Sequence, residues 1–224
     1  MRLASLISGG KDSLYATYLA KRKHEIKFLV TMLPERADSW IFHHPCVEFT
    51  KLQAKAMGIK HIKQKTPGKK EEELEELKLV LKKIKNEIDG VIAGAVESNY
   101  QKSRIEKVCD ELSLKLVAPL WKFDQEELLR EQLRAGFKII ITAVAAEGLD
   151  KKFIGRKIDE KTIDELCYIG KKFGINIAAE GGEYETFVCD CPMFNKRIEI
   201  VDSEVIWEGM SGYLKIKSAK LVDK

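Results

Sequence analysis

Ser8-Gly9-Gly10-Lys11-Asp12-Ser13 stands between an apolar run, Leu3–Ile7, and the breaker-free stretch Leu14-Tyr15-Ala16-Thr17-Tyr18-Leu19-Ala20. The run reads as a buried strand and the stretch as a helix. A strand, a glycine turn and a helix N-terminus, in that order, make an anion site. Glycine lets the backbone turn sharply and approach a ligand closely. The first N–H groups of the helix point at the anion, and the helix dipole favours negative charge there. Ser8 and Ser13 add hydroxyl donors, and Lys11 adds a charged one.

Outward from this hexapeptide the first half of the chain alternates apolar runs with helical patterns. The runs are Leu3–Ile7, Ile26–Leu33, His61–Thr66, Val91–Val96 and Leu114–Ala118, with helices expected over 13–23, 45–57, 69–86 and 99–113. Such alternation predicts an α/β fold whose parallel sheet carries helices on both faces. Ligands of such sheets bind at the carboxyl ends of the strands, near the point where strand order reverses. Three segments fall at strand ends: the 8–13 loop, Met32-Leu33-Pro34-Glu35, and Gly94-Ala95-Val96-Glu97-Ser98-Asn99. After Pro119-Leu120-Trp121 the pattern changes. A helix is expected over 124–135, a strongly apolar strand over Lys138–Ala146, and a second helix over 162–173 closed by Gly174. From Tyr184 onward the chain reads as β-structure, with period-two stretches at Arg197–Trp207 and Tyr213–Val222. The expected organisation is a nucleotide-binding domain over 1–122 and a smaller C-terminal α+β domain over 123–224.

The 224 residues are 45% hydrophobic and 33% charged, so the chain is globular and more charged than the typical quarter or so. Lys and Glu dominate the charges while Asn and Gln are scarce, a bias of hyperthermophile proteins. A net charge of +4 permits an acidic or nucleic-acid partner without arguing for one. Lys69-Lys70 runs straight into Glu71-Glu72-Glu73 and reads as a solvated helix start. No apolar stretch approaches the roughly 18 residues that span a membrane, and no signal peptide precedes the first strand, so a cytoplasmic location is expected. Five scattered cysteines fit reduced thiols.

A second constellation, Glu180-Gly181-Gly182-Glu183-Tyr184-Glu185-Thr186, gathers three carboxylates around a glycine pair. Glu183 and Glu185, at alternate positions, share one face of an extended segment. Taken alone, the segment is either a charged turn before a strand or a site for a cation.

The hexapeptide lacks the G-x-x-x-x-G-K-[ST] spacing of a Walker loop. It resembles instead the pyrophosphate loop of the N-type ATP pyrophosphatases. Five stretches occur here in the order found in one family, the diphthine–ammonia ligases or diphthamide synthases. They are the 8–13 loop, Gly94–Asn99 continuing through Tyr100-Gln101-Lys102-Ser103-Arg104-Ile105-Glu106, Ala118-Pro119-Leu120-Trp121, Gly148-Leu149 with Gly155-Arg156, and Glu180–Thr186. The likeness runs from residue 1 to about 195 and is that of the short, archaeal-type form. It implies a Rossmann-like sheet of the adenine nucleotide α-hydrolase type. It also implies a reaction: diphthine, a modified histidine of translation elongation factor 2, attacks the α-phosphate of ATP through its carboxylate, and ammonia then displaces AMP.

On that resemblance Ser8, Gly9, Gly10 and Ser13 cradle pyrophosphate, Lys11 neutralises developing charge, and Asp12 touches Mg²⁺. Met32 and Gly94 are assigned to the ATP side; Glu97, Ser98, Asn99 and Tyr100 line the substrate side. Glu180, Gly181, Gly182, Glu183, Tyr184, Glu185 and Thr186 face the diphthine trimethylammonium or the ammonia, with Glu183 and Glu185 catalytic. Carboxylates and aromatic faces are the partners open to a quaternary ammonium.

Other residues read as structural. His43-His44 lacks the company of a metal site, and Cys189-x-Cys191 before Pro192 reads as a loop. Cys109 and Cys167 read as core and Trp121 as packing; Arg104 and Arg156 divide evenly between phosphate contact and surface ion pair. A tRNA-modifying pyrophosphatase would need a basic patch or placed cysteines, and neither is visible. A glutamine-dependent amidotransferase would need a glutaminase domain. A non-catalytic nucleotide sensor remains the rival from another class. The sequence leaves the oligomeric state open, a homo-oligomer included.

Overall fold

The computed structural model describes residues 1–34, 46–66 and 70–224; Glu35, His43-His44 and Lys69 lie outside the described residues. These form two compact units, and the division is not a single cut in the chain. Met1–Ser8, 12–34 and Gly58–Trp121 make one unit, and Gly9–Lys11, 46–57 and Lys122–Lys224 make the other.

The first unit is the expected parallel sheet. Its strands are β1 (Arg2–Leu6), β2 (Glu25–Pro34), β3 (Lys60–Thr66), β4 (Gly90–Ile92) and β5 (Lys115–Val117), in the order β3-β2-β1-β4-β5, every neighbouring pair parallel. Helices α1 (Lys11–Lys21), α3 (Lys70–Ile84) and α4 (Asn99–Glu111) flank it. Alternation along β1 divides the faces. Ala4 and Leu6 join Leu77, Leu81, Ile105 and Val108 of α3 and α4 in one core. Ser5 points the other way, its hydroxyl 2.7 Å from that of Thr17 on α1. A strand buried on both faces is largely apolar, and a buried hydroxyl must find a partner; in β1 Leu3, Ala4 and Leu6 meet the first demand and the Ser5–Thr17 pair the second.

One buried polar chain runs across this sheet. Thr31 Oγ1 donates to the Ile7 carbonyl at 3.1 Å and lies 2.9 Å from His61 Nε2. With its proton committed to Ile7, the Thr31 oxygen accepts from the ring, which fixes the Nε2–H tautomer. Burial, with Lys63 nearby, pushes the His61 imidazole down to about 4. An unfolded histidine takes its proton near pH 6.5, so between about 6.5 and 4 the unfolded chain holds more protons. Stability therefore falls as pH drops through that window. His61→Asn should flatten the curve of melting temperature against pH there; equal slopes in both proteins would contradict the assignment.

The second unit is built on an antiparallel sheet of β6 (Lys138–Val144), β7 (Tyr184–Asp190), β8 (Arg197–Glu208) and β9 (Ser211–Val222), in the order β7-β6-β9-β8. It includes α2 (Thr50–Met57), α5 (Gln125–Arg134) and α6 (Glu160–Phe173). Asp124 and Asp159 cap α5 and α6 by accepting from Glu127 N and Thr162 N, as acids at helix starts should. Gly174, at φ +72°, closes α6. Arg130 of α5 pairs with Glu126, Glu160 and Asp164, tying α5 to α6 at the surface.

Candidate functional site

Ser8 follows β1 and Gly94 follows β4, the two strands between which sheet order reverses. This is where an open α/β sheet places its ligand. Helix α1 begins at Lys11, two residues before the expected start, so Asp12 stands in its first turn at the positive end of the dipole. Ser8 N and Ser8 Oγ both lie 3.3 Å from Ser13 Oγ, folding the loop onto the helix start. Gly94 shows why that position holds no side chain. A Cβ there would stand 2.7 Å from Ser13 N and Cα and 2.9 Å from the Asp12 carbonyl carbon. The loop after β4 thus packs backbone to backbone against the start of α1.

Gly9, Gly10 and Lys11 run beside β7, which carries the second sequence motif. Lys11 N donates to Thr186 Oγ1 at 3.1 Å across 175 residues of sequence. Val188 N donates to Gly9 O at 3.1 Å. Gln53, wholly buried on α2, donates through Nε2 to both Gly9 O and Val188 O at 3.0 Å. Gly9 holds φ +92°, a conformation open to glycine and strained for other residues. The two motifs picked out in the sequence are therefore joined by the bond from Lys11 N to the Thr186 hydroxyl, and Gly9 is tied to β7 by one backbone bond from Val188 and the buried Gln53 amide.

The turn before β7 is organised from within. The Glu183 carboxylate accepts from Asn176 N at 3.0 Å and Gly181 N at 2.9 Å. A Cβ at Gly181 would meet that carboxylate at 2.7 Å. Asn176 Oδ1 accepts from Ala178 N at 2.9 Å, and Ala179 takes a positive φ of 66°. Two carbonyls of the turn point to side chains of the motifs. Tyr184 Oη donates to Ile177 O at 2.5 Å, and Lys11 Nζ donates to Ala178 O at 2.6 Å. The Lys11 ammonium also lies 5.8 Å from the centre of the Tyr184 ring. Lys11 is 1% exposed, so a charge that would be very unfavourable alone is held by a carbonyl and an aromatic face.

The remaining expected residues separate by place. Met32 is 3% exposed and belongs to the core shared with α3 and α4. Ser98 caps α4, its Oγ accepting from Gln101 N at 3.3 Å. Glu97, Asn99 and Tyr100 are exposed at the start of α4, and Arg104 lies 4.7 Å over the Tyr100 ring. Arg156 makes a two-pronged pair with Glu165. Glu180 and Glu185 are half-buried on either side of Glu183. Trp121 receives Lys102 Nζ 4.8 Å over its ring. Cys109 is fully buried in the first core and Cys167 is half-buried on α6. Burial pushes the thiols of Cys46, Cys109, Cys189 and Cys191 up to about 12, which makes them inert.

Gln53 and Asn176 escaped the sequence reading. Gln53 carried a usable signal. It shares the buried stripe of α2 with Thr50, Ala54 and Met57, and a polar residue on such a stripe implies a specific partner. Asn176 carried none, because an asparagine after a helix C-cap is ordinary turn chemistry.

Among the described residues no three His, Cys, Asp or Glu side chains gather to hold a metal. No helix among them is long and apolar enough to cross a membrane. The loop at the start of α1 suits a polyanion, and the carboxylates of the turn before β7 suit a cation.

Comparison with known proteins gives the family. Residues 1–116 match the model of the diphthamide synthase N-terminal domain, and residues 124–222 that of the diphthamide synthase C-terminal domain. The chain is 35% identical to the diphthine–ammonia ligase of Homo sapiens over 252 residues, covering all of this chain and 94% of that protein. It is 35% identical to that of Schizosaccharomyces pombe, covering 97% of this chain and 39% of the longer protein. A solved structure described as a predicted subunit of tRNA methyltransferase from Methanocaldococcus jannaschii aligns at TM-score 0.44 and 19% identity, over 86% of this chain and 98% of that one. With both of its domains matched and its whole length shared with the human protein, the chain belongs to the family of diphthine–ammonia ligases, amide-forming enzymes.

Proposed function

We propose that this chain amidates diphthine on elongation factor 2, using ATP to activate the carboxylate and ammonia as the nitrogen donor. The observation that carries the reading is the Lys11 N to Thr186 Oγ1 bond. It joins an anion-binding loop to a carboxylate-rich motif, so that a nucleotide phosphate and a cationic acceptor can be held side by side. In the first step a diphthine carboxylate oxygen bonds to the α-phosphorus of ATP. The bond from that phosphorus to the bridging oxygen breaks, and pyrophosphate leaves. In the second, ammonia attacks the acyl carbon, AMP departs with the oxygen of the broken C–O bond, and a proton is lost.

The residues divide accordingly. Ser8, Gly9, Gly10 and Ser13 receive the pyrophosphate and Lys11 offsets the charge that develops on it. Asp12 is the one acid in the first turn of α1. Mg²⁺ is usually bound by one or two carboxylates together with substrate phosphates, so the site fits an ion carried in by ATP rather than a resident protein cage. Such an ion would neutralise phosphate charge, with Asp12 as its protein ligand. Glu180 and Glu185 are assigned to the trimethylammonium and to ammonia, and Glu97, Asn99 and Tyr100 to the rim of the acceptor site. Tyr184, expected to face the acceptor, is 1% exposed and packs inside the turn with its ring towards Lys11, so it supports the site without meeting substrate. Residues 1–122 serve as the ATP pyrophosphatase domain and 123–224 as the acceptor domain.

The test is AMP release from ATP with diphthine-bearing elongation factor 2 and ammonium, each omitted in turn. AMP that depends on the factor, with the factor's mass changing from carboxylate to amide, supports the reading. AMP formed without regard to the factor points to another acceptor, tRNA among them, and no AMP under any condition points to a nucleotide sensor.

Glu183 offers a finer test. Its carboxylate holds the turn at Asn176 and Gly181, whereas Gly9–Lys11 is held by β7. Glu183→Ala should therefore cut amide formation about a hundredfold, a loss of the size expected when a reacting group shifts by an ångström. ATP affinity should stay within about threefold, well under 1 kcal/mol. Collapse of ATP affinity in a binding titration would make the turn a nucleotide element instead.

A further inference from the structure

Gln53 is the buried residue whose placement asks for an explanation. Its two Nε2 protons go to Gly9 O and Val188 O, each at 3.0 Å, well within hydrogen-bond range. Its Oε1 is buried and has no hydrogen-bond partner among the described residues. The amide leaves its own oxygen unmatched while its two protons serve two backbone carbonyls, so its place on α2 follows from what it does to Gly9 O and Val188 O. What the amide does supply is direction. In a trans peptide the carbonyl and the next N–H point opposite ways. Turning Gly9 O towards Gln53 and Val188 therefore turns Gly10 N–H away from β7. If Gly9 O swung outward, a carbonyl dipole would meet an incoming phosphate with its negative end. The socket on this side of the loop is closely fitted. A Cβ on Gly9 would lie 3.3 Å from Gln53 Oε1, 3.3 Å from Thr50 Cγ2 and 3.4 Å from Phe187 Cδ2.

We propose that Gln53 is a positioning residue for pyrophosphate recognition: by holding the Gly9 carbonyl inward, it sets the direction in which the Gly9–Gly10 peptide faces the β- and γ-phosphates. The proposal rests on the reading of the 8–13 loop as a pyrophosphate site. It assigns Gln53 no contact with substrate. Its signature is selective, because the peptide it orients belongs to the pyrophosphate part of the site. Loss of Gln53 weakens ligands that carry those phosphates and leaves AMP binding alone.

The experiment is calorimetric titration of ATP, inorganic pyrophosphate and AMP into wild-type protein and Gln53→Leu, with melting temperatures measured alongside. Gln53→Leu keeps the volume and removes both donors. ATP and pyrophosphate affinities should each fall about tenfold or more, while AMP affinity stays within about twofold. Should Gln53→Leu fail to fold, Gln53→Glu is measured instead; as a buried acid it offers at most one donor in its protonated form. Its pyrophosphate affinity should then improve as pH is lowered, a trend the wild type lacks. Equal losses for all three ligands, or unchanged pyrophosphate affinity, would overturn the proposal. If the wild type binds neither ATP nor pyrophosphate, the pyrophosphate-loop reading falls, and this inference falls with it.

Discussion

Gly94→Val is expected to lower kcat/KM for ATP by about a hundredfold or more while the protein still folds. The reason lies in distances rather than in any ligand contact. A Cβ at 94 would stand 2.7 Å from Ser13 N and Cα and 2.9 Å from the Asp12 carbonyl carbon. Those atoms are backbone, so no rotamer change relieves the clash; either the loop after β4 or the first turn of α1 must move. An ångström of misplacement at a reacting group is worth about a hundredfold in rate. Forcing an extra side chain into a packed position costs about 1–3 kcal/mol of stability. That is a lowered melting temperature rather than loss of the fold. Gly94→Ala should show the same pattern in milder form. AMP-release kinetics with a thermal melt check both. Unchanged kcat/KM in Gly94→Val would mean that the N-terminus of α1 plays no part in holding ATP.

Gly94 also shows how legible this protein is. The sequence marked it as a residue of the ATP side, and the structure puts it in backbone contact with the loop expected to hold ATP. A glycine at a strand end announces that something comes close without saying what. The parallel sheet was legible because β1 and β2 are predominantly apolar and are separated by helix-period segments, a pattern that few other architectures satisfy. Met32 shows the limit of that argument. Strand ends carry ligands, but an apolar side chain near one can equally face the core, and period-two alternation placed Met32 with Ala4, Leu6 and Val30. The motif at Glu180–Thr186 was legible as a cluster of carboxylates and opaque as a geometry. Nothing in the spacing said that Glu183 would fold back onto Asn176 N and Gly181 N, or that the Thr186 hydroxyl would meet Lys11 N. Such pairings cross up to 175 positions and depend on tertiary register. One-dimensional periodicity does not carry that information.

The second large effect expected is that of Asp12→Ala, which should abolish AMP formation, by at least a hundredfold, with little change in stability. Asp12 is half-buried in the first turn of α1. Removing an acid from a helix start costs roughly 0.3–1 kcal/mol, a melting shift of a few degrees at most for a chain of this size. Electrostatic groups aimed at developing phosphate charge are worth about a hundred- to a thousandfold in rate, so chemistry and stability separate cleanly at this residue. Lys11 does not allow the same separation. Its ammonium donates to Ala178 O inside the fold, and deleting it leaves that carbonyl without the donor, at a cost of about 1–3 kcal/mol. A loss of activity in a Lys11 variant would therefore mix a disturbed turn with a missing charge. With Asp12→Ala the melt and the AMP assay are read together: a native melt without AMP assigns Asp12 to the phosphate chemistry. A native melt with wild-type AMP formation removes it from the mechanism and leaves Lys11 and the loop backbone to carry the adenylation.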